Sequence, residues 1–569
     1  VAARVRLLSP AELLARLHGP WMLSMDGLRD VSPRQKTLRN AIGWSYGLLT
    51  PTEQALFTRL AVFVGGCTLA AAEMLCGADA ALTPWLPFSL SPPQVLDGIA
   101  SLLDKSLLHR QAGLYGEPRY AMLETVREYA LDRLALSGQE ATMRGRHACC
   151  FLWIIENAEQ ANLDPSHIQL LRRMDDDIHN VRAGLAWAVK HDIQAALLFT
   201  TALLDWLKSR GPFAEGSLLI DEVLNLPGAS THTIPRAKAL FMAAMLLFFN
   251  NDAGKAQAHA EECLALSQEL DYAKGVADAL LSLGRIAHSS WHDEAAARHY
   301  LEKAVVSFKI LGHSGGIAHA LVVLSEIAFM QGDCKNAREL AEECVNVAQQ
   351  AGLSSSWPLG ILGSIAWAEG DLNKARSIYE QQLTIERPRG SKANLAYALT
   401  MLGNIATRQG DYTTAHAYLG EALELSKGMS QVQVYRCFLP LAALAQAEGD
   451  HKQAIRLYQE SLAGIEGNGD LWSDYLLHLA DLAEAMGQYE LTARLLGAVE
   501  AVDTSGYRLK PDDRDEYNHL ADAARMHLGA VAFDVVWVEG RASPFEQVVE
   551  EAVSILEATL HVQDQATLT

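Results

Sequence analysis

The chain has 569 residues, half of them apolar and 20% charged, with a net charge of −21. That length exceeds one ordinary core and calls for several domains or a repeat array, while the composition excludes a disordered tail. The first 140 residues are close to neutral, so the acidic excess falls on residues 141–569, which repel a phosphate backbone and are not expected to bind nucleic acid.

In chain order, "LRNAIGWSYGLL" (38–49) reads as an amphipathic helix. Thr50, Pro51 and Glu53 then spell a capping box with proline at the first helical position. "TLAAAEMLCG" (68–77) predicts a capped helix closed by Gly77, and "SPPQVLDGIASLLDKSLL" (91–108) predicts another. "LLHRQ" and "RYAML" flank "AGLYGEP" as a hairpin, and "ETVREYALDRLALSG" closes the unit. Three helices and a hairpin make a winged helix. Its candidate recognition helix, 93–108, offers Asp97, Asp104 and Lys105 among Leu, Ile, Val and Ala. A major-groove reader needs Arg, Lys, Asn or Gln on the outer face, so DNA readout by this domain is not expected.

Residues 141–235 keep a helix-pair rhythm and read as degenerate leading repeats. "DDD" at 175–177 is read as the acidic start of a helix over "IHNVRAGLAWAV", favoured by the helix dipole. A period then becomes explicit. Gly332, Gly370, Gly410, Gly449 and Gly487 recur at spacings of 38, 40, 39 and 38, four of them followed by Asp, with weaker copies near Asp252 and Asp293. A fixed period near 40 marks a helical solenoid. Gly410 is placed to end one helix in the left-handed conformation and Asp411 to cap the next. Ala415, Leu419 and Ala422 share the packing face, opposite the small Gly403. Residues 514–556 abandon the period, as the closing unit of a solenoid must.

The stretch 402–422 resembles the tetratricopeptide repeat: Leu402-Gly403 in helix A, Gly410-Asp411-Tyr412 at the turn, Ala415, Leu419 and Ala422 in helix B. The likeness runs over roughly 235–500. "VSPRQKTLRNAIGWSYGLLTPTEQALFTRLAVFVGGCTLAAAEMLCG" and "VLDGIASLLDKSLLHR…RYAMLETVREYALDRL" resemble the winged-helix segment of bacterial STAND signalling ATPases, relatives of the NB-ARC group often described as LuxR-like or SARP-like transcriptional regulators. The resemblance implies an all-α fold: a winged-helix domain with a small β-hairpin, followed by a tetratricopeptide-type α-solenoid. It divides the chain into a remnant of the family's helical lid (1–36), the winged helix (37–138), degenerate repeats (139–235), tetratricopeptide repeats (236–500) and a helical cap (501–569). No G-x-x-x-x-G-K-[ST] loop is present, and the chain starts at Val1 without an initiator Met. The family's NTPase, with its ATP or ADP, is therefore expected upstream, outside a truncated sequence, and no cofactor is expected in this chain. Where NB-ARC relatives carry Met-His-Asp after the wing, this chain has Met122, Leu123 and Glu124. These three become the candidate relay, without the nucleotide-sensing histidine.

In the tetratricopeptide family helix A lines the inner groove. By aligned position the resemblance implies Arg285, His288, Glu326, Phe329, Trp357, Trp367, Tyr397, Asn404, Arg408, Arg436 and Gln446 as candidate ligand residues. These include aromatic and arginine types that anchor partners, although each can instead pack between repeats. No catalytic constellation or metal-spaced cluster is read; His288 and His292 lack a surrounding carboxylate–histidine set. The eight cysteines lack a C-x-x-C pair and suggest reduced thiols of a cytoplasmic protein. The longest apolar run, 239–249, is too short to cross a bilayer. The expected function is a regulatory arm of a signalling ATPase or transcriptional regulator. Its solenoid would bind a protein, peptide or small effector, and its parent would be able to oligomerise. The alternative is a free-standing scaffold joining protein partners.

Overall fold

The computed structural model describes residues 33–77, 89–114, 116–160, 166–210, 213–250, 252–290, 292–389, 391–427, 431–462, 472–504 and 509–567. The expected lid remnant lies outside these residues, apart from 33–36. The fold is all-α with one two-stranded sheet among the described residues, and it divides into two compact units.

The first unit holds α1 (Pro33–Gly47), α2 (Pro51–Leu60), α3 (Leu69–Cys76), α4 (Pro92–Asp104), β1 (His109–Ala112), β2 (Pro118–Ala121), α5 (Glu124–Leu136), most of α6 (Glu140–Gln160) and most of α7 (Ser166–His191). The capping box is present: Thr50 Oγ1 accepts from Glu53 N at 3.3 Å, and Glu53 Oε2 accepts from Thr50 N at 2.7 Å. Glu53 also accepts from Ser101 and, at 2.7 Å, from Lys105 Nζ, which ties α2 to α4. The strands pair antiparallel, His109 opposite Ala121.

Two sequence expectations change here. Residues 140–157 and 169–199 group with the winged helix, whereas they were read as leading repeats of the solenoid. Asp175–Asp177 lie inside α7, not ahead of a helix, and α7 is a clamp on the wing. Asp176 Oδ1 accepts from Leu114 N at 2.9 Å, and Asp177 pairs with the buried Arg119 at 2.6 Å. Asn180, fully buried, accepts from Val64 N at 2.7 Å and donates to Gly66 O and Asp177 Oδ1 at 3.0 Å each. With that oxygen already an acceptor, His147 Nε2 at 3.2 Å must be the protonated nitrogen.

This unit is expected to be acid-sensitive. Burial holds His147 down to about 4, so the unfolded state takes up protons first and stability falls as pH drops from about 6.5 to about 4. Lys105 holds Glu53 down to about 2, and its contribution fades as pH falls from 4.5 toward that value. Thermal midpoints of the winged-helix unit measured from pH 7 to pH 3 should fall steadily, and His147→Gln should flatten the upper part of the curve. A flat wild-type profile would contradict the assignment.

The second unit is built mainly from residues 200–569. After α8 (Ile193–Arg210) and α9 (Phe213–Leu224) come helix pairs. These are α10 (Ile234–Phe249) with α11 (Ala253–Glu269), α12 (Ala273–Ser289) with α13 (Glu294–Leu311), and α14 (Ser314–Met330) with α15 (Cys334–Gln350). Next are α16 (Ser356–Ala368) with α17 (Leu372–Arg389), α18 (Lys392–Arg408) with α19 (Tyr412–Ser426), α20 (Gln431–Ala447) with α21 (His451–Leu462), and α22 (Trp472–Ala485) with α23 (Tyr489–Thr504). The unit ends in α24 (Pro511–Leu528), α25 (Ala530–Ala542) and α26 (Phe545–Thr567).

The repeat chemistry follows the sequence. Gly410 has φ +75°, and Asp411 accepts from Thr414 N at 3.2 Å. A Cβ on Gly403 would stand 2.5 Å from Leu419, and one on Gly363 2.6 Å from Tyr379, so these glycines set how closely the paired helices cross. One feature of helix B lay unread in the sequence. Arg338 bonds Glu369 at 2.5 Å, Arg376 bonds Gln409, and His416 bonds Glu448 at 3.0 Å. Each tie joins one repeat to the residue just before the next turn glycine. Gly410→Ala meets no clash but holds a side chain at positive φ, so equilibrium unfolding should show a loss of about 1 kcal/mol. No change would mean that the turn relaxes freely.

All eight cysteines are free thiols. Among the described residues no helix is long and apolar enough to cross a membrane, and no group of three His, Cys, Asp or Glu is placed to hold a metal.

Candidate ligand-binding groove

The first helix of each pair puts equivalent residues side by side. Arg285, Glu326, Ser364, Asn404, Ala443 and Asp481 occupy the same position in successive repeats, and consecutive first helices are neighbours from α10 to α22. These residues form a row, and its two ends differ.

At the upstream end Arg285 is enclosed by aromatic rings. Its guanidinium carbon lies 4.9 Å from the centre of Phe248, 5.2 Å from Phe249 and 5.9 Å from Trp357. Met245 Sδ is 3.8 Å from its Nη1. His319 packs edge-on to Trp357. Burial draws Arg285 down to about 10, partly opposed by Glu326. Burial raises the Glu326 carboxyl, partly opposed by Arg285. His288 lies one turn along α12; its ring is lowered by burial, and its Nδ1 is buried without a hydrogen-bond partner.

At the downstream end Ser364 and Asp481 are engaged by their own chain. Ser364 Oγ lies 3.1 Å from Tyr379 Oη and 3.2 Å from Tyr397 Oη. Gln446 donates to Asp481 at 2.8 Å. Arg408 stacks 4.2 Å over Trp367 and pairs with Glu516 of α24 at 3.4 Å. Helix α24 also touches α16, so the closing segment reaches the same side of the solenoid as the row.

The structure therefore brings Arg285, Glu326 and Trp357 together, with His288 beside them. Phe329 (5% exposed) and Trp367 (8%) belong to the packed cores between repeats, which corrects their expected place on an open surface. The bulk of their rings fits the space between crossing helices. Tyr397 and Arg408 are exposed but engaged by Ser364 and by Glu516. Asn404 is half-buried on α18. Arg436 lies on α20, and its side chain is outside the described set. Sequence reasoning missed Met245, Phe248, Phe249 and His319. Ser364 and Asp481 were available from the same alignment column that gave Arg285 and Glu326.

In the first unit the relay candidates do not act as one group. Met122 and Glu124 line a cavity of about 90 Å³ with Gly65, Gly66 and Arg127. Arg127 donates to Glu124 at 2.9 and 3.2 Å and to Ala61 O at 3.3 Å. Leu123 instead turns to solvent, 63% exposed. On α4 the exposed positions are Pro92, Pro93, Gln94, Leu96, Asp97, Ala100 and Asp104, without a cation among them.

Residues 49–135 match the family described as winged helix-turn-helix domain, and residues 237–460 match the MalT-like TPR region. Proteins named "Putative HTH-type transcriptional regulator" in Mycobacterium tuberculosis (strain H37Rv) and Mycobacterium bovis are 34% identical over 362 residues. The alignment covers 62% of this chain and 39% of theirs, so this chain spans about two fifths of the length of these curated relatives. Among solved structures, a STAND protein with a tetratricopeptide repeat sensor from Pyrococcus horikoshii aligns at 14% identity and a TM-score of 0.42. That alignment covers 74% of this chain and 64% of the other, a likeness too loose to carry a functional argument.

Proposed function

We propose that this chain, which joins a winged helix-turn-helix domain to a MalT-like TPR region, is the effector-sensing arm of a regulator and acts as a receptor without catalysis of its own. The upstream half of the groove, around Arg285, Glu326 and Trp357, receives a protein, peptide or small effector. Binding biases the state of a longer parent by differential affinity for two conformations. In such a parent the winged helix passes the signal to a nucleotide-binding domain. The observation that carries this reading is the Arg285–Glu326 section itself, where Arg285 has only the Met245 thioether as a hydrogen-bond partner among the described residues and is gathered among aromatic rings, while downstream Ser364, Asp481 and Arg408 are paired within the chain. The outer face of α4 carries Asp97 and Asp104 and a single base-reading type, Gln94, with Lys105 just past its end and bonded to Glu53, which supports a relay role over DNA reading.

Thermal-shift screening of the whole chain tests it, with free amino acids, nucleotides, short oligosaccharides and a random hexapeptide pool as probes and labelled genomic DNA fragments alongside. At least one probe should raise the midpoint by about 2 °C or more, as a ligand at many times its Kd does. Trp357→Ala should abolish that rise. Sequence-specific DNA binding at physiological salt, with no probe shifting the midpoint, would overturn the reading.

A further inference from the structure

Every side chain in the groove can be asked where its hydrogen-bonding capacity goes. Arg285 carries five N–H donors. Among the described residues its one hydrogen-bond partner is the Met245 thioether at 3.8 Å, a weak acceptor. The rings of Phe248, Phe249 and Trp357 gather around it, and none of them offers an oxygen to its N–H groups. Glu326 stands at the equivalent position of the next repeat. It is near enough to act on Arg285 electrostatically, yet it forms neither a salt bridge nor a hydrogen bond with it among the described residues. One turn along α12, His288 Nδ1 is buried without a hydrogen-bond partner. Partly desolvated charges of opposite sign that do not meet are costly to the fold on their own. The same arrangement is complementary to a ligand that carries both charges and inserts between them.

The chemistry can be narrowed further. The edge of a guanidinium whose faces are covered by rings takes a carboxylate, two N–H groups to two oxygens. A carboxylate with no donor takes an ammonium. The surrounding Phe248, Phe249 and Trp357 take an apolar or aromatic body. We propose that the Arg285–Glu326 section of the groove binds a small zwitterion of the α-amino-acid class with an apolar or aromatic side chain. Its carboxylate would sit on Arg285, its ammonium on Glu326 and its side chain against the three rings. The proposal rests on the sensing role given above and names the ligand class for that site.

Calorimetric titration of the whole chain with free leucine, phenylalanine and tryptophan tests it, with N-acetyl-tryptophan and tryptophan amide as single-charge controls. At least one free amino acid should bind, and both blocked forms should bind about tenfold or more weakly. Arg285→Met should keep or raise the thermal midpoint, because it removes a poorly compensated buried charge, while weakening binding about thirty-fold or more. Glu326→Gln, close in shape, should weaken binding about tenfold. No binding by any free amino acid up to about 10 mM, a level that admits even weak small-molecule complexes, overturns the proposal. Equal binding of the blocked forms, or undiminished binding by Arg285→Met, overturns it as well. If a nucleotide, oligosaccharide or hexapeptide binds in a Trp357-dependent way while all free amino acids fail, the sensing role stands and the zwitterion assignment falls. If nothing binds and the chain instead binds DNA sequence-specifically, both fall.

Discussion

Asn180→Leu is expected to destabilise the winged-helix unit by about 2–4 kcal/mol, because two buried donors lose their acceptor at once. Asn180 is fully buried, and its oxygen accepts from Val64 N at 2.7 Å and faces His147 Nε2 at 3.2 Å. Its amide donates to Gly66 O, which keeps Arg119 as a second donor at 3.0 Å, so the loss falls on Val64 and His147. Leucine has the same branched skeleton and is somewhat larger, so a cavity does not explain the effect. The segment at stake is tightly built: Gly66 has φ +88°, and a Cβ there would stand 2.7 Å from Tyr120 O. In urea unfolding followed by hydrogen exchange, peptides from 60–75 and 109–121 should open at lower denaturant, while those from α12 to α19 keep their midpoint. Coincident loss in both regions would mean the clamp supports more than the wing; no loss would mean that water replaces the amide.

Gly540→Ala is expected to be as damaging at the far end of the chain. A Cβ on Gly540 would lie 1.9 Å from Arg494 O, and one on Gly497 would lie 2.1 Å from Trp537 O. Helices α23 and α25 therefore meet backbone to backbone, and a single methyl must push them apart. Overpacking against a flexible side chain costs about 1–3 kcal/mol, and the backbone here has little room to yield, so about 3 kcal/mol or more is expected. Separation would also break the Arg494 pairs to Glu539 at 2.9 Å and Glu551 at 3.0 Å. Limited proteolysis should then release residues after 505 at temperatures where the wild type resists. Gly410→Ala is the control, a glycine with open space around it. Equal effects at the two positions would show that conformational strain, not the close crossing, dominates.

These two sites mark where the sequence stops being informative. The solenoid was legible because its physics repeats: Gly410, Asp411, Ala415 and Leu419 do the same work every forty residues, so copies reinforce one another. The capping box at Thr50 was legible because it is local. Asn180 and Asp177 were not, since their partners lie more than fifty residues away, Val64 ahead of α3 and Arg119 on β2, and nothing local marks them. The acidic triplet suits a helix start through the dipole, but Asp164-Pro165, a signal of the same kind as Thr50-Pro51, marks an earlier one, and the helix runs from Ser166. Nothing local marks Gly497 and Gly540 either: both lie outside the pattern of turn glycines, and their close contact is with helices distant in sequence. In the groove, Arg285 and Glu326 came from alignment with the repeat, but Phe248 and Phe249 lie in a weaker copy. Whether an aromatic residue there joins the core or the groove depends on how the repeats stack. Phe329 and Trp367, from stronger copies, went to the core.

The central claim is that an effector docks on the first-helix face between α10 and α16. Hydrogen exchange of the whole chain, with and without the compound that gives the largest thermal shift, tests it most directly. The account predicts slowed exchange in residues 273–289, 314–330 and 356–368, lost in Trp357→Ala. Protection confined to residues 49–135 or to the α25–α26 region would contradict it.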